Sequence, residues 1–142
     1  KRIFNLVKTK NYELATYISS KAQYWKNLEI GENCFIGEGS VIQPFTKIGD
    51  NCILFSVRIG HHSTIGDHSL LSSCLLGGNV TIGNSSFLGL NSTIKENTTV
   101  GKNNIIGMSS NINFNTSDNE IYTSKSAEKR NITFQQFYKK LL

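Results

Sequence analysis

Polar and apolar positions alternate along most of this chain with a period of six. From Ile30 an aliphatic residue recurs at 36, 42, 48, 54, 59, 65, 71, 76, 82, 88, 94, 100, 106 and 112, often with Gly directly after it. Twelve of these fourteen steps are six residues long; the other two, Leu54 to Ile59 and Leu71 to Leu76, are five. Two residues before each aliphatic from Ile36 on stands a short side chain, such as Cys34, Ser40, Thr46, Val57, Ser63, Cys74 or Ser110. Residues two apart in a strand share a face, so each large aliphatic and its small partner point inward together. A period of six fits neither 3.6 nor 3.5 and excludes helix. Short strands joined by Gly-, Asn- and Asp-containing turns do fit, and hexapeptide repeats are the signature of a parallel β-helix. The fold class expected is therefore all-β. Fifteen hexads, three per coil of a triangular prism, make about five coils. Spacing leaves the hand of the coil open, although parallel crossovers in general are right-handed in about 98% of cases.

The pattern divides the chain. Residues 1–14 have weak helical character and read as a lead-in or as the end of a domain missing upstream. Residues 15–116 form the β-helix, loosely patterned from Ile18 and regular from Ile30. Residues 117–142 are a polar connector and a short C-terminal helix. In that helix Thr133 and Gln136 fit a capping box, and Phe134, Phe137, Tyr138, Leu141 and Leu142 make one apolar stripe. The stripe is expected to cap the solenoid or pack on a neighbouring subunit.

Composition narrows the function classes. Fifteen Lys and Arg against ten Asp and Glu give a net charge of +5, with much of the excess at the two ends. Solvated ends are the plain reading, and attraction for an anionic small molecule is the sharper one. Basic residues do not interleave with aromatics along any one element, which argues against nucleic acid. No apolar run approaches the ~18 residues of a membrane span, and the first residues lack the apolar core of a signal peptide. A cytoplasmic location without membrane contact is expected. The chain begins without Met and reads as a piece of a longer protein. Three cysteines, an odd number, argue against a disulfide framework. All three fall on inward small sites and read as buried hydrophobes. The Asn-x-Ser/Thr triplets follow from Asn at turns and Ser or Thr facing inward, and carry no glycosylation reading.

Chemistry is concentrated in I-G-H-H-S-T-I-G-D-H at 59–68, which holds all three histidines. With G-N-V-T-I-G at 78–83, F-L-G-L-N-S-T-I at 87–94 and I-I-G-M-S-S at 105–110, it makes the chain resemble the left-handed β-helix acyltransferases. Within them it resembles the sugar acetyltransferases of the sialic acid O-acetyltransferase and bacillosamine-pathway group. The resemblance covers roughly residues 18–116. It implies a left-handed coil, a homotrimer with sites between adjacent subunits, acetyl-CoA as co-substrate, and a sugar or nucleotide-linked sugar as acceptor in surface glycan biosynthesis.

Acetyl transfer needs a base for the acceptor's proton and a donor for the oxyanion. Histidine suits the first task, since imidazole titrates near neutrality. By resemblance His61 is the general base. The acid that follows the family's histidine is replaced here by His62, leaving three options open. Another carboxylate, with Asp67 nearest in sequence, or a backbone carbonyl orients His61, or His62 is itself the base. Resemblance also places the Gly78 amide at the thioester carbonyl, and Leu90, Gly107 and Met108 along the pantetheine arm. Leu70 falls where some relatives carry a second histidine. His68 reads as a surface turn residue with coenzyme contact as the alternative, and Lys95 and Lys102 as exposed turn lysines with coenzyme phosphates as the alternative. No metal site is expected, because three histidines within eight residues do not match the spread of a β-helical carbonic anhydrase site. The competing reading is a non-catalytic structural or binding solenoid.

Overall fold

The computed structural model describes residues 1–139, without the side chain of Phe137. Its body is a parallel β-solenoid of three faces. The first face stacks Tyr17–Ile18, Phe35–Ile36, Ile53–Phe55, Leu70–Ser72, Phe87–Leu88, Ile105–Ile106 and Ile121–Tyr122. The second stacks Gln23–Tyr24, Val41–Ile42, Arg58–Ile59, Leu75–Leu76, Thr93–Ile94 and Asn111–Ile112, and the third Glu29–Ile30, Lys47–Ile48, Thr64–Ile65, Thr81–Ile82 and Thr99–Val100. Sheets of seven, six and five strands amount to about six turns. The loose hexads at Ile18 and Tyr24 are strands like the regular ones. Ile121–Tyr122, inside the stretch read as connector, adds a strand that pairs with Ile105–Ile106.

The core follows the repeat. Each aliphatic from Ile36 to Ile112 is buried, as is each short residue two before it. Cys34, Cys52 and Cys74 are free thiols in this core, as expected. Burial pushes the Cys74 thiol up to about 12, which disfavours the nucleophilic thiolate.

The corners explain the polar half of the pattern. The residue three before each aliphatic adopts a left-handed backbone, with φ between 43° and 61° at every non-Gly example from Asn33 to Ser109. Asn tolerates this region, and one coil's Asn often bonds the next. Asn33 Nδ2 donates to Asn51 Oδ1 at 2.6 Å, and Asn103 Nδ2 to Asn119 Oδ1 at 3.0 Å. Asn103→Ala is expected to lower stability by about 1 kcal/mol, because Ala keeps the Cβ strain of this conformation and loses the amide that bonds Asn119. Asn103→Gly should cost less, and urea unfolding of both variants checks the difference.

Outside the solenoid, α1 (Arg2–Lys8) forms where the sequence offered only weak helical character, and none of its residues is buried. At the other end, α2 (Phe134–Tyr138) carries the expected capping box in both directions. Thr133 N–H donates to Gln136 Oε1 at 2.7 Å, and Gln136 N–H to Thr133 Oγ1 at 3.3 Å. Of the expected apolar stripe, Phe134 and Tyr138 stack at 5.8 Å. Leu141 and Leu142 lie outside the described residues. Among those described, no helix is long and apolar enough to cross a membrane.

Candidate active site

The corner between the second and third faces carries Gly60-His61-His62 in one coil and Gly77-Gly78-Asn79 in the next. Pro44 and Phe45 occupy it in the coil before. Coil-to-coil hydrogen bonds fix this alignment: His62 N–H donates to the Pro44 carbonyl at 3.0 Å, and Asn79 N–H to the His61 carbonyl at 2.7 Å. His61 and His62, seventeen residues before Gly78 and Asn79, thus share a corner with Gly78.

Both imidazoles are exposed. The His61 ring lies directly against Gly78: a Cβ built on that glycine would stand 2.8 Å from both Cε1 and Nε2 of His61. Only a glycine leaves room for the ring as placed. The Gly78 N–H donates to no acceptor among the described residues. A potential proton acceptor and a free backbone donor are therefore neighbours at one point of the surface.

Three further contacts hold the pair. Gln43 Oε1 accepts the backbone N–H of His61 at 3.2 Å. The Nδ1 atoms of His61 and His62 lie 2.9 Å apart, with the rings edge to face at 5.1 Å. The His62 ring stacks on Phe45, centroids 4.8 Å apart and planes 30° from parallel. Gln43 and Phe45 escaped the sequence reading. Counting back one coil from His61 and His62 would have found them.

Asp67 does not orient His61. It stands at the corner between the third and first faces, where Oδ1 accepts the Asp50 N–H at 2.9 Å and Oδ2 the Asn84 Nδ2–H at 3.4 Å. Sequence proximity misleads here because a hexad carries the chain on to the next corner. His68 shares Asp67's corner, at φ 61°. Its Nδ1 lies 3.0 Å from Asn51 Nδ2, and Phe4 of α1 meets its ring edge-on at 5.3 Å. Burial first, then the positive charge of the first residue, lowers the pKa of His68 from 6.5. A depressed folded-state value means that neutral His68 favours the fold. Its contribution is complete above pH 6.5 and is lost as pH falls through the folded value. His68→Asn, which keeps a residue suited to the turn, is expected to flatten stability between pH 7 and pH 5, as urea titrations at the two values would show.

The residues expected along the pantetheine arm lie elsewhere on the prism. Leu90 and Met108 project, exposed, from the corner between the first and second faces. They sit in adjacent coils, where Ser109 N–H donates to the Leu90 carbonyl at 2.9 Å. Gly107, Met108 and Ser109 line a hollow of about 390 Å³ with Thr123, Ser124 and Lys125. The whole second face separates that corner from His61. Between them is a smaller hollow of about 110 Å³ lined by Gln43, Arg58, Gly60 and Leu75 among others. Lys95 and Lys102 are exposed turn residues at two different corners, and Leu70 is a half-buried outward residue of the first face. Among the described residues no three His, Cys, Asp or Glu side chains converge as a metal site.

Residues 14–122 match the family model described as the GMPPB C-terminal domain. No curated protein sequence matches the chain. Among solved structures, perosamine N-acetyltransferase from Caulobacter crescentus, in complex with CoA and GDP-perosamine, superposes with a TM-score of 0.82 at 21% identity. It aligns over 84% of this chain and 59% of that one. The acetyltransferase domain of PglB from Neisseria gonorrhoeae FA1090 gives a TM-score of 0.82, 21% identity, and 84% and 60% coverage. A second structure of that domain, in complex with acetyl coenzyme A, gives 0.82 at 20% identity. The chain thus spans about three-fifths of the length of these proteins and shares their fold, the hexapeptide-repeat left-handed β-helix.

Proposed function

The chain belongs to the GMPPB C-terminal domain family, and on that premise we propose that it is an acetyl-CoA-dependent acetyltransferase acting on a hydroxyl or amine of a sugar. The observation that carries this reading is the His61 ring set against Gly78, beside that residue's free N–H. The histidine pair takes the proton of the acceptor hydroxyl or amine as its oxygen or nitrogen attacks the thioester carbonyl. The Gly78 N–H, which donates to no acceptor among the described residues, receives the oxyanion in this reading. Collapse breaks the C–S bond, and the departing thiolate takes up the proton. That neighbouring folds were solved with CoA, acetyl-CoA and GDP-perosamine supports a nucleotide-linked acceptor.

The separation of His61 from Leu90, Gly107 and Met108 by a whole face supports a site shared between copies. In this reading the chain is a cytoplasmic homotrimer, each coenzyme lying between the His61 corner of one subunit and the Met108 corner of the next. Light scattering on the eluting protein should give three times the chain mass, and a monomer would remove the shared site.

The test of function mixes protein, acetyl-CoA and a panel of nucleotide-linked amino and neutral sugars and follows thiol release. Turnover on at least one sugar, abolished by His61→Ala, is expected. Failure to bind acetyl-CoA would overturn the reading and leave a structural solenoid.

A further inference from the structure

We propose that His62 is the positioning residue of the pair, its Nδ1 accepting the Nδ1–H of His61 and so fixing the free electron pair of His61 on Nε2. Two ring nitrogens 2.9 Å apart share a hydrogen bond only if one carries the proton. If His62 gave it, His61 would be protonated at Nε2 and His62 would be the base. Surroundings decide between the two. The space left by the missing side chain of Gly78 is bounded by Cε1, Nε2 and Nδ1 of His61, its three nearest atoms. The Nε2 edge of His61 therefore faces that space, next to the free N–H, whereas His62 lies over Phe45 in the coil before.

Phe45 supports the same assignment. Its φ of 61° is unfavourable for a bulky side chain. From Asn33 to Asn119 the other left-handed corner residues are Asn, Ser, Gly or His. Strain of this kind persists where surrounding structure requires it, and here the ring forms the platform on which His62 lies. Support passes from Phe45 to His62 to His61 to Gly78 across three successive coils. No carboxylate takes part. Gln43, Pro44 and Phe45 face the pair from the coil before, and Gly77, Gly78 and Asn79 from the coil after, none of them titratable. The charged residues nearest in register are Arg58 on the same coil, Lys47 of the coil before, which pairs with Thr64, and Lys95 and Glu96 one coil beyond Gly78.

The proposal rests on the acyl-transfer reading for its kinetics but not for its tautomers, so two measurements separate them. In ¹⁵N-labelled protein above pH 8, two-bond imidazole ¹H–¹⁵N correlations are expected to show His61 protonated at Nδ1 and His62 at Nε2. His61 protonated at Nε2, or both rings averaging between tautomers, overturns the proposal whether or not the protein turns over.

In the thiol-release assay, Gly and Asn both suit the left-handed backbone at 62, so H62G and H62N should fold. H62G is expected to lower kcat by about 10- to 100-fold with KM for acetyl-CoA unchanged. H62N, whose Oδ1 accepts the same hydrogen, should stay within about threefold of the parent. H62D should retain activity and move the acid limb of kcat/KM up by about one pH unit, since a carboxylate stabilises the imidazolium. F45N should lower kcat severalfold without lowering the melting temperature. H62N as inactive as H62G would make His62 the base, and H62G as active as the parent would remove its role; either overturns the proposal. The expected tautomers without turnover on any sugar would instead sink the acetyltransferase reading and leave this geometry standing.

Discussion

Gly78→Ala is expected to lower turnover by about 100-fold or more while moving the melting temperature by only a few degrees. The added Cβ would fall 2.8 Å from Cε1 and Nε2 of His61, well inside contact distance. What must move is the end of an exposed side chain, so the fold yields cheaply. The imidazole does not, because rotating away from Gly78 takes Nε2 from the free N–H and strains the 2.9 Å contact with His62. Displacing a reacting group by about 1 Å is enough to cost roughly 100-fold. Thiol release and a thermal melt on the same sample check both halves. A fully active variant would show that the His61 ring is free to work from elsewhere.

Gly60→Ala, one residue before the pair, is expected to do the reverse, destabilising by about 3 kcal/mol or more. Its Cβ would meet the Gly77 carbonyl carbon and oxygen and stand 2.6 Å from the Gly78 nitrogen. These are backbone atoms of the next coil, held by the Gly77 N–H to Ile94 carbonyl bond at 2.9 Å. Relief therefore means parting two coils. Gly107→Ala is the control. There the nearest atoms are the Tyr122 carbonyl oxygen at 3.0 Å and the Thr123 methyl at 3.3 Å, in the last coil, which has room to give. A loss of about 1 kcal/mol or less is expected. Because solenoid stability is close to a sum over neighbouring repeats, a broken coil interface should also widen the unfolding transition in urea.

The core was legible because its cause is local. Alternation within a strand forces the partners of Ile36 or Leu88 to be short, so the period of six carried both the faces and the buried set, cysteines included. The capping box of α2 was legible for the same reason, since Thr133 and Gln136 need only each other. The strand Ile121–Tyr122 was not, because its inward residue is an aromatic, Tyr122, ten residues after Ile112 where two regular steps would make twelve, and no strand fills the face between them. The site was half legible. Resemblance singled out His61 and Gly78, which the structure sets side by side, but the search for a partner to His61 looked along the chain to Asp67. In a solenoid the neighbours of a corner residue stand a full coil away, and there lie Gln43, Phe45 and Gly78. A chain folded flat could not have shown that Leu90, Gly107 and Met108 lie on another corner.

Coil-to-coil pairing also bears on how fast this protein reaches its fold. Every strand pairing joins residues 16 to 18 positions apart, from Ile105 with Ile121 to Tyr17 with Phe35. In a chain of 142 residues that sets a relative contact order of about 0.12, at the border of helical bundles and mixed folds rather than near β-sandwiches. All-β though it is, no strand pairing closes a loop longer than one coil, and each completed coil offers the next a ready edge. Folding should proceed as sequential addition of turns, faster than its strand content alone would suggest.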